Sequence, residues 1–207
     1  MESWKTDRTA STNPFNAFAA VCILVAFAVG CGTSSPTRFY TLSAATPPAA
    51  TSSNWLVVVG PVSVPAVVDR PQIVVSAGPN QVTLDEFNQW ASPLQNNIAR
   101  VVGENLMALL GTSRVTLFPQ ATSGDGDYRA VIDVLRFEST PGESAALDAV
   151  WTVRRTKDGK AETGRTTARE AVKEKGYDAL AAGHSRAVAR LSQDIATAVR
   201  ALATSGQ

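Results

Sequence analysis

An apolar run from Phe15 to Gly30, ending in Ala28-Val29-Gly30-Cys31, constrains this chain more than any other feature. A polar stretch carrying Lys5 and Arg8 precedes it, and Gly32-Thr33-Ser34-Ser35-Pro36 follows without a basic cluster. A positive start, an apolar middle and a small residue before the cut make the three-part layout of a secretory signal. The run has 16 residues, short of the roughly 20 that a spanning helix needs. A signal anchor, or a signal cut elsewhere, is the alternative. With residues 1–30 removed, 207 − 30 = 177 residues remain, still at a net charge of +1. They must fold without an internal disulfide, because the two cysteines are Cys22 and Cys31.

The end of the run resembles a bacterial lipobox, with Ala28 in place of the commoner Leu. That resemblance implies a thiol alkylated with diacylglycerol at Cys31, a cut just before it, and acylation of the new amine. Only a thiolate serves as the nucleophile here. Several acyl chains, each contributing roughly 0.8 kcal/mol per buried CH₂, anchor a protein firmly. Gly32, where Asp would signal retention, implies export to the outer membrane. No cofactor other than this covalent lipid is expected. Cys22 lies inside the apolar run and reads as a small apolar residue.

The composition is that of a globular chain, 44% hydrophobic and 18% charged, which argues against wholesale disorder. A net charge of +1 gives no support to nucleic-acid binding, which needs a concentrated basic face. His184 is the single histidine. A Cys/His metal cluster is therefore excluded, and a Ser-His-Asp site would have to use His184. There is no Gly-x-Ser-x-Gly elbow, Walker motif or dinucleotide fingerprint. Asp125 and Asp127 flank Gly126 as in a calcium loop, but the twelfth position is Arg136 rather than Glu, which leaves a turn.

Residues 1–30 read as the signal. Residues 31–54 read as the lipid attachment site, a spacer, the aromatic patch Arg38-Phe39-Tyr40-Thr41-Leu42 and a flexible Ala/Ser/Thr/Pro-rich stretch. Residues 55–204 read as one globular domain. Within it, Trp55–Val64 is a strand buried on both faces, with Pro61 and Pro65 restricting its pairing. Gln72–Ser76 and Gln81–Leu84 form a hairpin about a four-residue turn, Ala77–Asn80. Ser92, Pro93 and Gln95 supply the cap, first position and capping box of a helix. Its apolar stripe runs through Leu94, Ile98, Val101, Val102, Leu106 and Leu109, with Asn105 on the margin, and Gly111 ends it. Val115–Phe118, Tyr128–Glu138, Ala145–Arg155 and 161–170 are strands, the last two joined by the tight turn Lys157-Asp158-Gly159-Lys160. Asp178–Ala203 is a long amphipathic helix with His184 on its apolar stripe. The expected fold is α/β or α+β: a mixed β-sheet of about five or more strands packed with two main helices, in two or three layers.

Four segments then carry a wider resemblance. They are Phe39-Tyr40-Thr41-Leu42; Val59–Pro65 with Asp69–Val74; Glu86–Leu94; and Tyr177–Leu180 with Ala182–Ser185 and Leu191–Ala196. In this order they cover nearly the whole mature chain. The chain resembles the PqiC-like auxiliary lipoproteins of MCE-type ABC transporters. Gly183, where Ala is expected, departs from the pattern and costs roughly 1 kcal/mol of helix propensity. The resemblance implies a mixed sheet with helices and a non-enzymatic role at the periplasmic face of the outer membrane. The partners it implies are an MCE-domain protein with its ABC permease and ATPase, which move lipids or other hydrophobic molecules between inner and outer membranes and so support envelope integrity. A ring-like homo-oligomer would suit a tubular partner. The rival from another class is a structural envelope lipoprotein that binds peptidoglycan or another assembly, and no wall-binding motif supports it. A third reading is a hydrolase built on His184.

Asp69-Arg70-Pro71 is a candidate partner-docking corner, the alternative being a loop ion pair or turn cap. Trp90 is a candidate interface anchor, or else packs on the core beside the helix start. Tyr40 and Leu42 are candidate contact residues near the membrane, or partners of a sheet edge. No residue reads as catalytic or metal-ligating.

Overall fold

A computed structural model describes residues 35–47, 52–119 and 126–205. Cys31, the signal-like segment and Asp125 lie outside the described residues. The chain order is β1 (Arg38–Tyr40), β2 (Val57–Ser63), β3 (Gln72–Gly78), β4 (Gln81–Trp90), α1 (Leu94–Leu110), β5 (Val115–Leu117), β6 (Tyr128–Thr140), β7 (Ser144–Arg155), β8 (Ala161–Ala171) and α2 (Tyr177–Thr204).

Five strands form a sheet ordered β5-β2-β6-β7-β8, and three form a second sheet ordered β1-β4-β3. Both are mixed. β2 runs parallel to β5 and β6, while β6, β7 and β8 are antiparallel. β1 is parallel to β4, and β3–β4 is an antiparallel hairpin. The fold is therefore α+β, with two helices. The hairpin turn is tighter than the four residues expected, because β3 continues to Gly78 and β4 starts at Gln81. β4 also runs on to Trp90, so the segment that leads into the helix is strand for most of its length.

Strand burial follows the side chains. Val57–Gly60 is buried throughout, as a strand covered on both faces must be. The β2–β6 register shifts between Val59 and Val62, where Pro61 cannot donate to the ladder. β6 alternates buried and exposed residues over most of its length. α1 packs on β2 and β5, α2 packs on β7 and β8, and the helices contact each other. Leu94, Ile98, Leu106, Ile132, Leu147, Leu180, Leu191 and Ile195 fill the space between, each almost fully buried.

The start of α1 departs from the expected capping box. The helix begins at Leu94 with Pro93 at the N-cap and no side-chain cap hydrogen bond. The start lies one residue later than the box requires, which leaves Ser92 outside capping position. The Pro93 carbonyl instead accepts the N–H groups of Asn96 and Asn97, both at 3.0 Å. At the other end Gly111 adopts φ 61° and its N–H returns to the Met107 carbonyl, as a left-handed cap does.

Gly183 has a packing reason that helix propensity hides. A Cβ there would lie 2.8 Å from Val172 Cγ2 and 2.9 Å from Ala145 Cβ. The missing side chain is what lets α2 approach the sheet so closely.

Candidate functional site

Three parts of the chain meet at one end of the smaller sheet. The turn after β2 closes with the N–H groups of Val68 and Asp69 both donating to the Pro65 carbonyl, and Arg70 N–H donating to Val68. Trp90 N–H then donates to the Pro71 carbonyl at 2.7 Å, and Ala91 N–H to the Tyr40 carbonyl at 2.8 Å. These bonds fix the turn, the end of β4 and β1 around an open cavity of about 390 Å³. Phe39, Asp69, Arg70, Pro71, Trp90 and Pro93 are among its lining residues.

The cavity thus brings together Asp69, Arg70, Pro71 and Trp90, which lie up to 21 positions apart in sequence. Its lining is mostly apolar, with one carboxylate and one guanidinium. Asp69 is exposed, and the buried Nε of Arg70 has no hydrogen-bond partner among the described residues. Phe39 forms part of the wall while remaining 64% exposed.

Trp90 serves two environments. It is only 5% exposed, and its ring meets Phe137 edge-on at 6.1 Å and His184 at 6.5 Å. Phe137 and His184 stack in turn at 3.8 Å. Trp90 thus packs against the core and also lines the cavity.

Tyr40 and Leu42 lie elsewhere. Both are buried. Tyr40 donates its hydroxyl to Asn88 Oδ1 at 2.8 Å, and its ring lies 5.8 Å from Tyr177. Tyr177 donates to Asp85 Oδ2 at 2.6 Å, a bond that holds the Asp85 carboxyl below the usual range. Burial, and then Asp85 itself, push the Tyr177 hydroxyl up. Leu42 belongs to a strap running across the helix pair. Its N–H donates to Asn97 Oδ1, Ser43 N–H to Ser185 Oγ, and Ala45 N–H to Asn105 Oδ1, at 3.1–3.3 Å. Arg100 adds a bond to the Leu42 carbonyl at 2.6 Å.

The polar residues that hold this strap were not identified by sequence reasoning. Asn105 is fully buried, not marginal, and its Nδ2 donates to Ser192 Oγ at 3.2 Å. The available signal was positional. Asn97 and Asn105 interrupt one helix stripe eight residues apart, and Ser185 and Ser192 interrupt the other seven apart. A polar residue repeated at such spacing must meet a polar partner when it is buried.

His184 is fully buried. Its Nε2 shares a hydrogen bond with Ser139 Oγ at 2.8 Å, and its Nδ1 has no partner among the described residues. Burial pushes its pKa down to about 3, so the ring is neutral near pH 7. A hydrolytic serine needs a base that is itself oriented by a third group and open to substrate. Here Ser139 is buried and, among the described residues, no group orients Nδ1. Among the described residues, no group of three or more His, Cys, Asp or Glu could hold a metal. Asp127 accepts a hydrogen bond from Leu56 N–H at 2.7 Å. Among the described residues, no helix is long and apolar enough to cross a membrane.

Comparison with known proteins agrees with this architecture. The family described as the ABC-type transport auxiliary lipoprotein component matches residues 40–196. A crystal structure of an uncharacterized protein superposes with a TM-score of 0.65 at 19% identity, covering 80% of this chain and 99% of that one. A Xanthomonas campestris protein of the DUF330 family also superposes at 0.65, with 18% identity, covering 83% of this chain and all of that one. At these identities the likeness is one of fold. Among curated proteins, none matches significantly.

Proposed function

The chain belongs to the ABC-type transport auxiliary lipoprotein family, and from that premise we propose a non-enzymatic accessory of an MCE-type ABC system. The protein is held by lipid on Cys31 at the periplasmic face of the outer membrane. An MCE-domain protein docks on it, and lipids or other hydrophobic molecules pass between inner and outer membranes with energy from the ABC permease and ATPase. The docking surface is the cavity of Asp69, Arg70, Pro71 and Trp90. Lipid passage at this site supports the integrity of the envelope.

One observation carries the choice of surface. Residues separated in sequence line a single open cavity that is apolar in the main, with one cation and one anion on it. Interfaces place aromatic and Arg anchors in such settings, and small pockets with few polar groups are common recognition sites.

The test is crosslinking of the full-length, lipidated protein in native membranes, followed by purification and mass spectrometry. Recovery of an MCE protein with its permease and ATPase is the expected result. Recovery of wall-associated proteins alone, from an intact lipidated bait, would replace this reading with that of a structural envelope lipoprotein.

A further inference from the structure

We infer that the outer edge of β8 is a strand-addition site for a protein partner, taking an extended segment that carries carboxylates at alternate positions. The site shares no residue with the cavity of Asp69, Arg70, Pro71 and Trp90. It is a second contact, independent of that docking surface.

Backbone geometry supplies the first argument. β8 closes one side of the five-stranded sheet, and β7 is its one strand neighbour among the described residues. The opposite edge of the sheet is β5, only three residues long. β8 has 11 residues, contains no proline and keeps its register with β7 from Ala161 to Ala171 without a bulge. Shortness, proline and bulges are common devices that blunt a strand edge, and β8 has none of them. An open groove of about 420 Å³ runs along it, lined by six consecutive residues, 165–170, and by Arg190, Gln193 and Asp194 of α2. Successive side chains of a strand point to opposite faces, so what all six can share with one groove is the backbone edge. Outward N–H and C=O groups on such an edge pair with an added strand. The six span roughly 17–20 Å, with α2 as a shelf on one side. Just past them the Ala171 carbonyl already accepts a bond from Arg186.

Charge supplies the second argument and selects the occupant. Thr166 bonds to Asp194 and Glu170 pairs with Arg186, both on α2. By alternation, Arg165, Thr167 and Arg169 share the face of β8 turned away from that helix. Arg165 and Arg169 are 60% and 59% exposed. Asp148, the partner of Arg165, lies inward on β7 and is nearly buried, while Arg169 pairs with the exposed Glu143. The groove lining carries three arginines against two acids. Both acids are engaged, Glu170 by Arg186 and Arg190, and Asp194 by Thr166. A second copy of β8, paired antiparallel about Thr167, would set Arg165 against Arg169 twice, and like charges directly opposite disfavour pairing. Carboxylates at alternate positions of a different strand meet the same two arginines favourably.

The experiment titrates the full-length protein, in detergent, into a fluorescent octapeptide of alternating glutamate and threonine, with anisotropy as the readout. The expected result is saturable binding, no binding of the lysine–threonine counterpart, and a loss of about tenfold in Arg169→Glu. Two further peptides carry N-methyl groups on every glutamate or on every threonine, and are tested against the unaltered protein. Backbone N–H groups alternate in direction along a strand, so one methylated peptide should lose binding and the other keep it. Equal binding by the two methylated peptides, equal binding by the lysine peptide, or no binding of the glutamate peptide would overturn strand addition. A disulfide-linked dimer through Thr167→Cys in native membranes would give the edge to a second copy, and would overturn the proposal as well.

Discussion

The two sheets treat their apolar residues differently. On the five-stranded sheet and the helices packed on it, polar groups answer one another: Trp151 Nε1 donates to Thr166, Thr166 donates to Asp194 of α2, and Asn105 of α1 donates to Ser192 of α2. Arg155 is nearly buried, yet it spans Asp158 with two hydrogen bonds and also donates to the Leu202 carbonyl near the end of α2. That pairing holds the Asp158 carboxyl down at about 2. The smaller sheet and the turn before it leave more to solvent. Of the eight large apolar residues exposed among the described residues, five lie there: Phe39, Val67, Val82, Leu84 and Phe87. The contrast separates residues that hold the fold from residues that are free to meet something else.

Trp90 is where the two regions touch, and it offers the strongest way to break the comparison. Trp90→Ala removes the ring packed against Phe137 and His184 and should cost about 3–5 kcal/mol. Urea unfolding measures this, and a loss under 1 kcal/mol would mean that Trp90 belongs to the surface after all.

The next effect concerns pH. His184 has a folded pKa of about 3, below its unfolded value of about 6.5. The folded state therefore rejects a proton that the unfolded chain accepts, and stability is lost as pH falls from about 6.5 toward 3. Between pH 7 and pH 5 the loss should be about 2 kcal/mol. The carboxylates with resolved shifts are all lowered, so they titrate below this window. Chemical denaturation at the two pH values tests the effect, and His184→Gln should flatten it.

Gly183→Ala sets propensity against packing. Ala favours a helix by about 1 kcal/mol, but the new Cβ meets Val172 and Ala145 inside 3 Å, and overpacking costs about 1–3 kcal/mol. The midpoint of thermal unfolding should therefore fall. A rise would show that the helix can shift away from the sheet without cost. The smallest change in stability is expected at Phe39→Ser, within about 0.5 kcal/mol. A large loss of stability there would place Phe39 with the core and erase the contrast between the two regions.

Much of the frame was legible in the sequence. The two long strands β6 and β7 were read from the sequence, the Lys157–Lys160 turn marked the next hairpin, and the apolar stripes marked both helices. The division into two sheets was not legible, because strand pairing is decided by partners far apart in sequence, such as Arg38 with Asn88. The capping box failed for a local reason, a helix that starts one residue late. The buried role of Asn105 depends on Ser192 and Ala45, neither of which its own helix pattern reveals. As for the cavity, its four residues could be singled out one at a time by type, but their convergence follows from the β4–turn contact at Trp90 and Pro71. Gly183 looked like a mild defect in a helix, since only the packed sheet beneath it shows what an added methyl would strike.

The most direct test of the central claim, that this end of the molecule meets the transport machinery, is site-specific photocrosslinking in native membranes. A photoreactive residue is placed at Pro71 in the cavity, or at Lys157 in the far turn, of the lipidated full-length protein. The account predicts an adduct with an MCE protein from position 71 and none from position 157. Adducts with that protein from 157 alone, or with wall components alone from 71, would contradict it.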